Sequence, residues 1–301
     1  MCKRIVSNLA GKCIYVAKSI YTAPFYRLAA KGSINMIDLH SHILPGLDDG
    51  SKNLEETLGM VRQLHEAGFK TLIATPHVIE GRTFLSPPEI LETTEQVRKS
   101  VAEAGIPVDI LPGAENYIFP DLAKWAREGE LVTLGNTGKY ILVEFPMLEI
   151  PRYTDQVFFD LQVLGITPVL AHPERNKGLA DEPERILAWA KKGILFQLDL
   201  RSVSGHYGTQ PKLLAELMLH SDLIHFVGSD AHRVSRSNQS YPEALRSVEK
   251  LVGKSRFEEL ALINSLTMLE GKSLLRERDY YLNEQVINKR KGGFWNLFRR
   301  K

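Results

Sequence analysis

Seven short apolar runs alternate with seven amphipathic segments from Met36 onward, and this alternation constrains the fold more than any other feature of the chain. The runs fall at 36–40, 70–75, 108–112, 140–145, 167–171, 194–198 and 223–228. Helical patterns lie between and after them, near 53–67, 87–104, 120–128, 153–164, 183–191, 210–220 and 241–251. In the first of these, Leu54, Leu58, Val61 and Leu64 recur at spacings of three and four, the mark of one buried helix face. Successive strand–helix units imply an α/β fold of parallel strands joined by right-handed crossovers. About 250 residues is the size of a closed β/α barrel. No internal repeat or low-complexity linker divides the chain. One domain is expected over 36–285, between a basic extension at 1–35 outside the core and a basic aromatic tail at 286–301.

Charge is distributed unevenly. The 301 residues carry 38 basic and 36 acidic side chains. Twelve of the basic residues lie in 1–35 and 289–301, which contain no acid. Removing those twelve from the 38 leaves 26 against 36 acidic ones, a net of −10 for the body. An acidic body argues against a nucleic-acid-binding domain. Both cysteines, Cys2 and Cys13, precede the expected core. The core therefore has no disulfide framework and no thiolate metal site, which fits a reducing cytoplasm. The first 35 residues lack an uninterrupted apolar stretch of the secretory type, and no run approaches the roughly 18 residues needed to span a bilayer.

The chemistry lies at the strand ends, where β/α barrels carry their active groups. The first strand runs into Asp38-Leu39-His40-Ser41-His42. Residues two apart share a face of a strand, so His40 and His42 can converge on one ion with Asp38 beneath them. The loop Pro45-Gly46-Leu47-Asp48-Asp49-Gly50 supplies Asp49. Later strands end in His77 (TPH), Glu115 (GAE), Glu144 (VEF), His172 (AHP) and the pair Asp230 and His232 (SDAH). Singly, each has an ordinary reading as a hydrogen-bonded pair, a buried acid or a strand cap. Together, five of the nine histidines interleave with four acids at consecutive strand ends. Imidazole and carboxylate without thiolate suit Mn, Fe or Zn, and so many ligands suit two or three divalent ions. His65, His220 and His225 read as helix or strand residues, and His206, in SGHYG, is left between a loop residue and a substrate contact. Gly135-Asn136-Thr137-Gly138-Lys139 reads as a turn, because it lacks the spacing of a phosphate loop.

In order and spacing, MIDLHSHILPGLDDG, TPH, GAE, VEF, AHPER and SDAH resemble the PHP (polymerase and histidinol phosphatase) family over 36–270. Asp49 and Glu144, where other PHP phosphatases often have histidine, make the chain similar to the capsule and exopolysaccharide tyrosine-protein phosphatases. The resemblance implies a distorted (β/α)7 PHP-type barrel. It implies a first metal on His40, His42, Glu115 and Asp230, a second on Glu115, Glu144 and His172, and a third on Asp49, His77 and His232. Arg175 (HPER) and Arg236, after SDAH, stand where the branch places phosphate-binding arginines. Mn is the first choice of ion, with Fe or Zn as alternatives.

The activity implied is phosphotyrosine hydrolysis by a metal-activated hydroxide attacking phosphorus. Neither cysteine sits in a Cys-x5-Arg loop, which excludes a thiol nucleophile. The implied partner is the phosphotyrosine tail of a membrane-anchored tyrosine autokinase, with no nucleic acid and with oligomerisation left open. The tail from Lys289 to Lys301, with Phe294, Trp295 and Phe298 set among basic residues, suits peripheral contact with an anionic membrane. A cytoplasmic protein that visits the inner membrane face is expected. The alternatives are another PHP phosphoesterase, such as a histidinol phosphatase, or a non-catalytic kinase-binding regulator.

Overall fold

The structure, a computed structural model, describes residues 35–235, 240–274 and 282, together with an antiparallel backbone pair, Val6–Ser7 with Cys13–Ile14. Arg236 and the tail at 286–301 lie outside the described residues.

From Met36 the chain forms β1 (Met36–Ser41), α1 (Leu54–Glu66), β2 (Phe69–Ala74), β3 (His77–Val78), α2 (Pro87–Glu103), β4 (Asp109–Pro112), β5 (Glu115–Tyr117) and α3 (Leu122–Glu128). It continues through β6 (Tyr140–Glu144), α4 (Thr154–Val163), β7 (Thr167–Ala171), α5 (Lys177–Asp181), α6 (Glu184–Lys191), β8 (Leu195–Asp199), α7 (Leu200–Val203), α8 (Thr209–His220) and β9 (Phe226–Gly228). Helices α9 (Ser240–Val252), α10 (Lys254–Glu258) and α11 (Asn264–Leu269) follow, the last two joined by a π-helical turn.

All pairings from β1 to β9 are parallel, in a three-stranded sheet β1-β2-β4 and a six-stranded sheet β9-β8-β7-β6-β5-β3. The two sheets are one barrel. β2 and β3 are a single strand path broken at Thr75-Pro76, and β4 and β5 are another broken at Gly113-Ala114. Pro76 has no N–H to continue the ladder. A Cβ on Gly113 would lie 2.9 Å from the Ile73 side chain, so any larger residue at this break would have to displace its neighbour. The ring closes where the His42 N–H donates to the Ala231 carbonyl (2.9 Å) and the Asp230 N–H to the His40 carbonyl (2.8 Å). The expected seven-unit distorted barrel is therefore the observed fold, with two of its seven strand paths interrupted.

Alternation along the strands separates two cores. Ile37, Leu39, Ile73, Leu111, Tyr140, Leu142, Val169, Leu195 and Phe226 fill the barrel, and Met268 and Leu134 join the same cluster. Ile141, Val143, Leu170, Phe196 and Val227 pack outward with the helices, against residues such as Phe158, Trp189 and Leu245. The period of two then carries the inward face upward. Glu144 follows Tyr140 and Leu142, and Gln197 and Asp199 follow Leu195. The barrel floor thus sets which side chains point into the site above it. The segment 135–139 is the turn expected, with left-handed φ at Gly135, Asn136 and Gly138.

Candidate metal centre

The carboxyl ends of the strands bring all nine sequence-selected ligand types together. The tightest group is His40 Nε2, His42 Nε2, Glu115 Oε2 and Asp230 Oδ1. The two ring nitrogens are 3.0 Å apart. Glu115 Oε2 lies 3.3 Å from His40 Nε2 and 3.4 Å from His42 Nε2, and Asp230 Oδ1 lies 3.4 and 3.3 Å from the same atoms. Tetrahedral ligands at about 2.0–2.1 Å from an ion are spaced by roughly 3.3 Å.

Tautomers sharpen this fit. Gln197 Oε1 accepts from the His172 N–H (3.3 Å), so it is an acceptor, and it faces His40 Nδ1 at 3.0 Å. Asp48 Oδ2 faces His42 Nδ1 at 2.7 Å. Both Nδ1 atoms therefore carry protons, so once the rings give up their second protons the lone pairs stand on both Nε2 atoms. Two lone pairs and two carboxylate oxygens converge on one point, and Glu115 Oε2 is buried there among the ring nitrogens of His40, His42 and His77. Only a cation, or protons, can occupy such a point without repulsion.

Two further groups surround the first. Glu115 Oε1 reaches His172 Nε2 at 3.0 Å, whereas Glu144 Oε1 is 3.9 Å from that nitrogen. His77 Nδ1 faces Glu115 Oε2 (2.9 Å) and Glu144 Oε2 (3.5 Å). On the rim, Asp49 Oδ1 lies 3.5 Å from His77 Nε2 and 3.4 Å from His232 Nε2. His77 thus stands between the inner and outer groups. Four overlapping sets could each hold an ion: His40/Glu115/His172, His40/His42/Asp230, His77/Glu115/Glu144 and His42/Asp49/His77/His232.

Local backbone conformation aims these groups. His172 and Asp230, each just beyond a strand, have left-handed φ of 30° and 46°. Such conformations are costly for non-glycine residues and concentrate at functional sites. Asp38 keeps the supporting place expected of it: its Oδ1 accepts from the His40 N–H (3.2 Å) and the Ser229 N–H (2.8 Å).

Electrostatics reflect crowding. Burial pushes His40 down, but the Glu115 and Asp230 carboxylates outweigh it and raise the imidazole to about 9. Burial opposes His42 in the same way, and hydrogen bonds to Asp230, Asp48 and Glu115 carry it well above 6.5. Asp48 is held down at about 2, because hydrogen bonding and charge from His42 overcome its burial. Burial and the neighbouring Glu115 raise Glu144 to about 7.

Several residues in this network were not among the sequence candidates. Asp48 is one, although its twin Asp49 was selected. Asp48 accepts from His42 Nδ1, from the Gly50 N–H (2.8 Å) and from the His77 N–H (3.0 Å), while the Asp49 side chain is 70% exposed. Gln197, Asp199 and Arg201 come from the end of the sixth strand path, the one path to which the sequence reading gave no polar role. Their period-two placement in Phe196-Gln197-Leu198-Asp199 was the available signal. Arg175 reaches the site, donating from Nη1 to the Asp230 carboxylate and to Asp199 Oδ2 (3.4 Å). His65 and His225 are structural, facing the Phe69 carbonyl and the Phe196 N–H. His206 stands exposed, edge-on to Tyr207 at 4.8 Å.

Comparison with known proteins gives a consistent picture. A family model described as capsular polysaccharide synthesis, CpsB/CapC, matches residues 36–270. The tyrosine-protein phosphatase YwqE of Bacillus subtilis is 37% identical over 242 residues, covering 80% of this chain and 94% of YwqE. The tyrosine-protein phosphatase CpsB of Streptococcus pneumoniae is 31% identical over 234 residues, covering 76% and 96%. A crystal structure from work on YwqE and pneumococcal CpsB, described there as unique metal-dependent tyrosine phosphatases, superposes with a TM-score of 0.76. It is 34% identical and covers 82% of this chain and 99% of the solved one.

Proposed function

The chain belongs to the CpsB/CapC family, and from that premise we propose that it is a metal-dependent protein-tyrosine phosphatase acting on a phosphorylated tyrosine autokinase in capsule or exopolysaccharide regulation. One observation carries the chemistry. Four ligand atoms, from His40, His42, Glu115 and Asp230, face a common point at separations of 3.0–3.4 Å, with Nδ1 of both histidines turned to Gln197 and Asp48. Asp49, His77, Glu144, His172 and His232 extend the donor set to two or three ions, and its N/O composition favours Mn, with Fe or Zn as alternatives. When bound, divalent ions supply a nucleophile from water near neutral pH and shield charge on the phosphoryl group.

The chain's own residues do the rest. Gln197 and Asp48 fix the tautomers of His40 and His42. Arg175, next to Asp230, stands ready to orient phosphoryl oxygens through its fork of N–H donors. A tyrosyl oxygen, with a pKa of about 10, leaves more readily than an alkoxide and makes little demand on a general acid. We place the enzyme in the cytoplasm, where a membrane-anchored kinase would present its phosphotyrosine tail. The segment Lys289–Lys301 would supply weak contact with the anionic inner leaflet. Among the described residues no helix is long and apolar enough to cross a membrane.

The test is hydrolysis of p-nitrophenyl phosphate and of a phosphotyrosine peptide by the full chain. Activity is expected with added Mn and is expected to disappear with chelator. Full activity in a His42→Ala, Asp230→Ala double variant would overturn the assignment.

A further inference from the structure

We propose that Arg201 is a second phosphoryl-reading arginine of this site and that Tyr207 is the residue that positions it; the inference rests on the phosphatase reading above. Arg201 follows β8 by two residues, and its guanidinium approaches the same two acidic residues that Arg175 does. Its Nη2 donates to the Asp230 carbonyl (3.0 Å), and its Nε lies 3.7 Å from Asp199 Oδ1. Arg175 takes the Asp230 carboxylate and the other oxygen of Asp199. The opposite oxygen of the Asp230 carboxylate faces His40 and His42. Two guanidinium groups are thus gathered one residue away from the candidate metal point.

Tyr207 joins the pair. Its ring lies over the Arg175 guanidinium at 4.3 Å, and its hydroxyl accepts from Arg201 Nη2 at 2.5 Å. The short loop bearing it is bracketed by Gly205 and Gly208, with φ of +81° and +98°, which lets the chain turn the ring back over the barrel mouth. A purely structural role for Arg201 explains less. Asp199 already has Arg175 and caps α7 by accepting from the Arg201 N–H (2.9 Å). Arg201 Nε, by contrast, is buried without a hydrogen-bond partner. A buried donor left unpaired is unfavourable unless an acceptor arrives. The planar fork of arginine matches phosphoryl oxygens, and both Arg175 and Arg201 keep 18% of the side chain open to solvent. Arg175 and Arg201 share the carboxylates of Asp199 and Asp230, and a cation held on the other oxygen of Asp230 would leave the two guanidinium groups to face an anion.

The experiment is calorimetric titration of inorganic phosphate into the full chain loaded with Mn, with phosphotyrosine-peptide turnover and metal content measured in parallel. Arg201→Gln is expected to weaken phosphate binding about tenfold or more, the usual scale for one charge-assisted hydrogen bond. It is expected to raise KM more than it lowers kcat and to leave metal content unchanged. Arg201→Lys, which keeps the charge but not the fork, should fall between. Phosphate affinity in Arg201→Gln equal to wild type would overturn the proposal while leaving the phosphatase reading intact, and so would a wild type that binds no phosphate but turns over peptide. A wild type that binds phosphate through Arg201 but hydrolyses no phosphotyrosine would uphold the subsite and sink the phosphatase reading. Should Arg201→Gln fail to fold, Tyr207→Phe decides. It removes only the hydroxyl and keeps the ring on Arg175, so a threefold or greater loss of phosphate affinity is expected; unchanged affinity overturns the proposal.

Discussion

His40 and His42 direct their Nε2 atoms at each other across 3.0 Å, while Gln197 and Asp48 hold the opposite ring nitrogens. Without an ion, protons must fill that gap, and the Glu115 and Asp230 carboxylates accordingly outweigh burial to raise His40 from 6.5 to about 9. His42 is raised too. A raised folded-state value means that the stabilisation is present below 6.5 and lost as pH rises through about 9. Chelator-treated protein should therefore lose melting temperature over that window, and metal-loaded protein should not. Metal must also displace these protons, so affinity should fall on acidification, with close to two protons released per first-site ion at neutral pH. Binding heats measured in buffers of different ionisation enthalpy read that number. Heats independent of buffer would contradict this account.

Asp48 is predicted to matter to the centre although it is not expected to touch an ion. It orients His42 and anchors the His77 N–H, and burial around it is overcome by His42 to hold it ionised. Asp48→Asn should cost about 10–100-fold in metal affinity, the usual range for residues that orient a ligand. Elemental analysis after dialysis against graded free Mn checks this. Metal retention equal to wild type would show that His42 needs no such support.

The C-terminal segment carries a separate prediction. Lys289, Arg290, Lys291, Arg299, Arg300 and Lys301 surround Phe294, Trp295 and Phe298. Basic residues near an anionic leaflet contribute about 1 kcal/mol each at low salt. The full chain should float with anionic vesicles at low ionic strength and release at high salt, while a 1–288 truncation should not float. Equal flotation of the two would remove membrane contact from the proposal.

What the sequence made legible follows from periodicity. Parallel strands buried on both faces stand out as apolar runs, and a histidine or acid at the end of such a run is conspicuous. His40, Glu144 and His172 were therefore visible, and so was the barrel. Less visible was anything decided by direction alone. In Leu47-Asp48-Asp49-Gly50 two identical side chains are adjacent, and only the fold shows that Asp48 turns in while Asp49 faces solvent. Gln197 looks like an ordinary strand residue, and its role exists only because His40, 157 positions away in sequence, meets it. Arg201 reads as one more surface cation until Tyr207 and Asp230 are seen beside it. Pro76 and Gly113 are evident punctuation, but that they break two neighbouring strand paths and split the barrel into two sheets is a tertiary outcome.

Gly228 tests how closely the barrel wall and the site are coupled. Its φ is not left-handed, so alanine there is acceptable to the backbone, and the constraint is space alone. An added Cβ would lie 2.7 Å from both Gln197 Nε2 and His40 Cβ, and 3.2 Å from the His40 nitrogen. Neither neighbour can yield freely, because Gln197 holds His40 Nδ1 and the His172 N–H at once. Gly228→Ala should therefore move the His40 ring and cost about 1–3 kcal/mol of stability through overpacking. It should also cost about 10–100-fold in metal affinity through the displaced ligand. Gly253→Ala is the control. That residue has φ of +80° and no atom within 4 Å of the added Cβ, so it should lose stability through backbone strain and keep full metal affinity. Denaturant titration together with metal retention separates the two effects. If Gly228→Ala lost stability like the control yet bound metal like wild type, His40 would be free to move without consequence, and the converging nitrogens could not be the centre of the site.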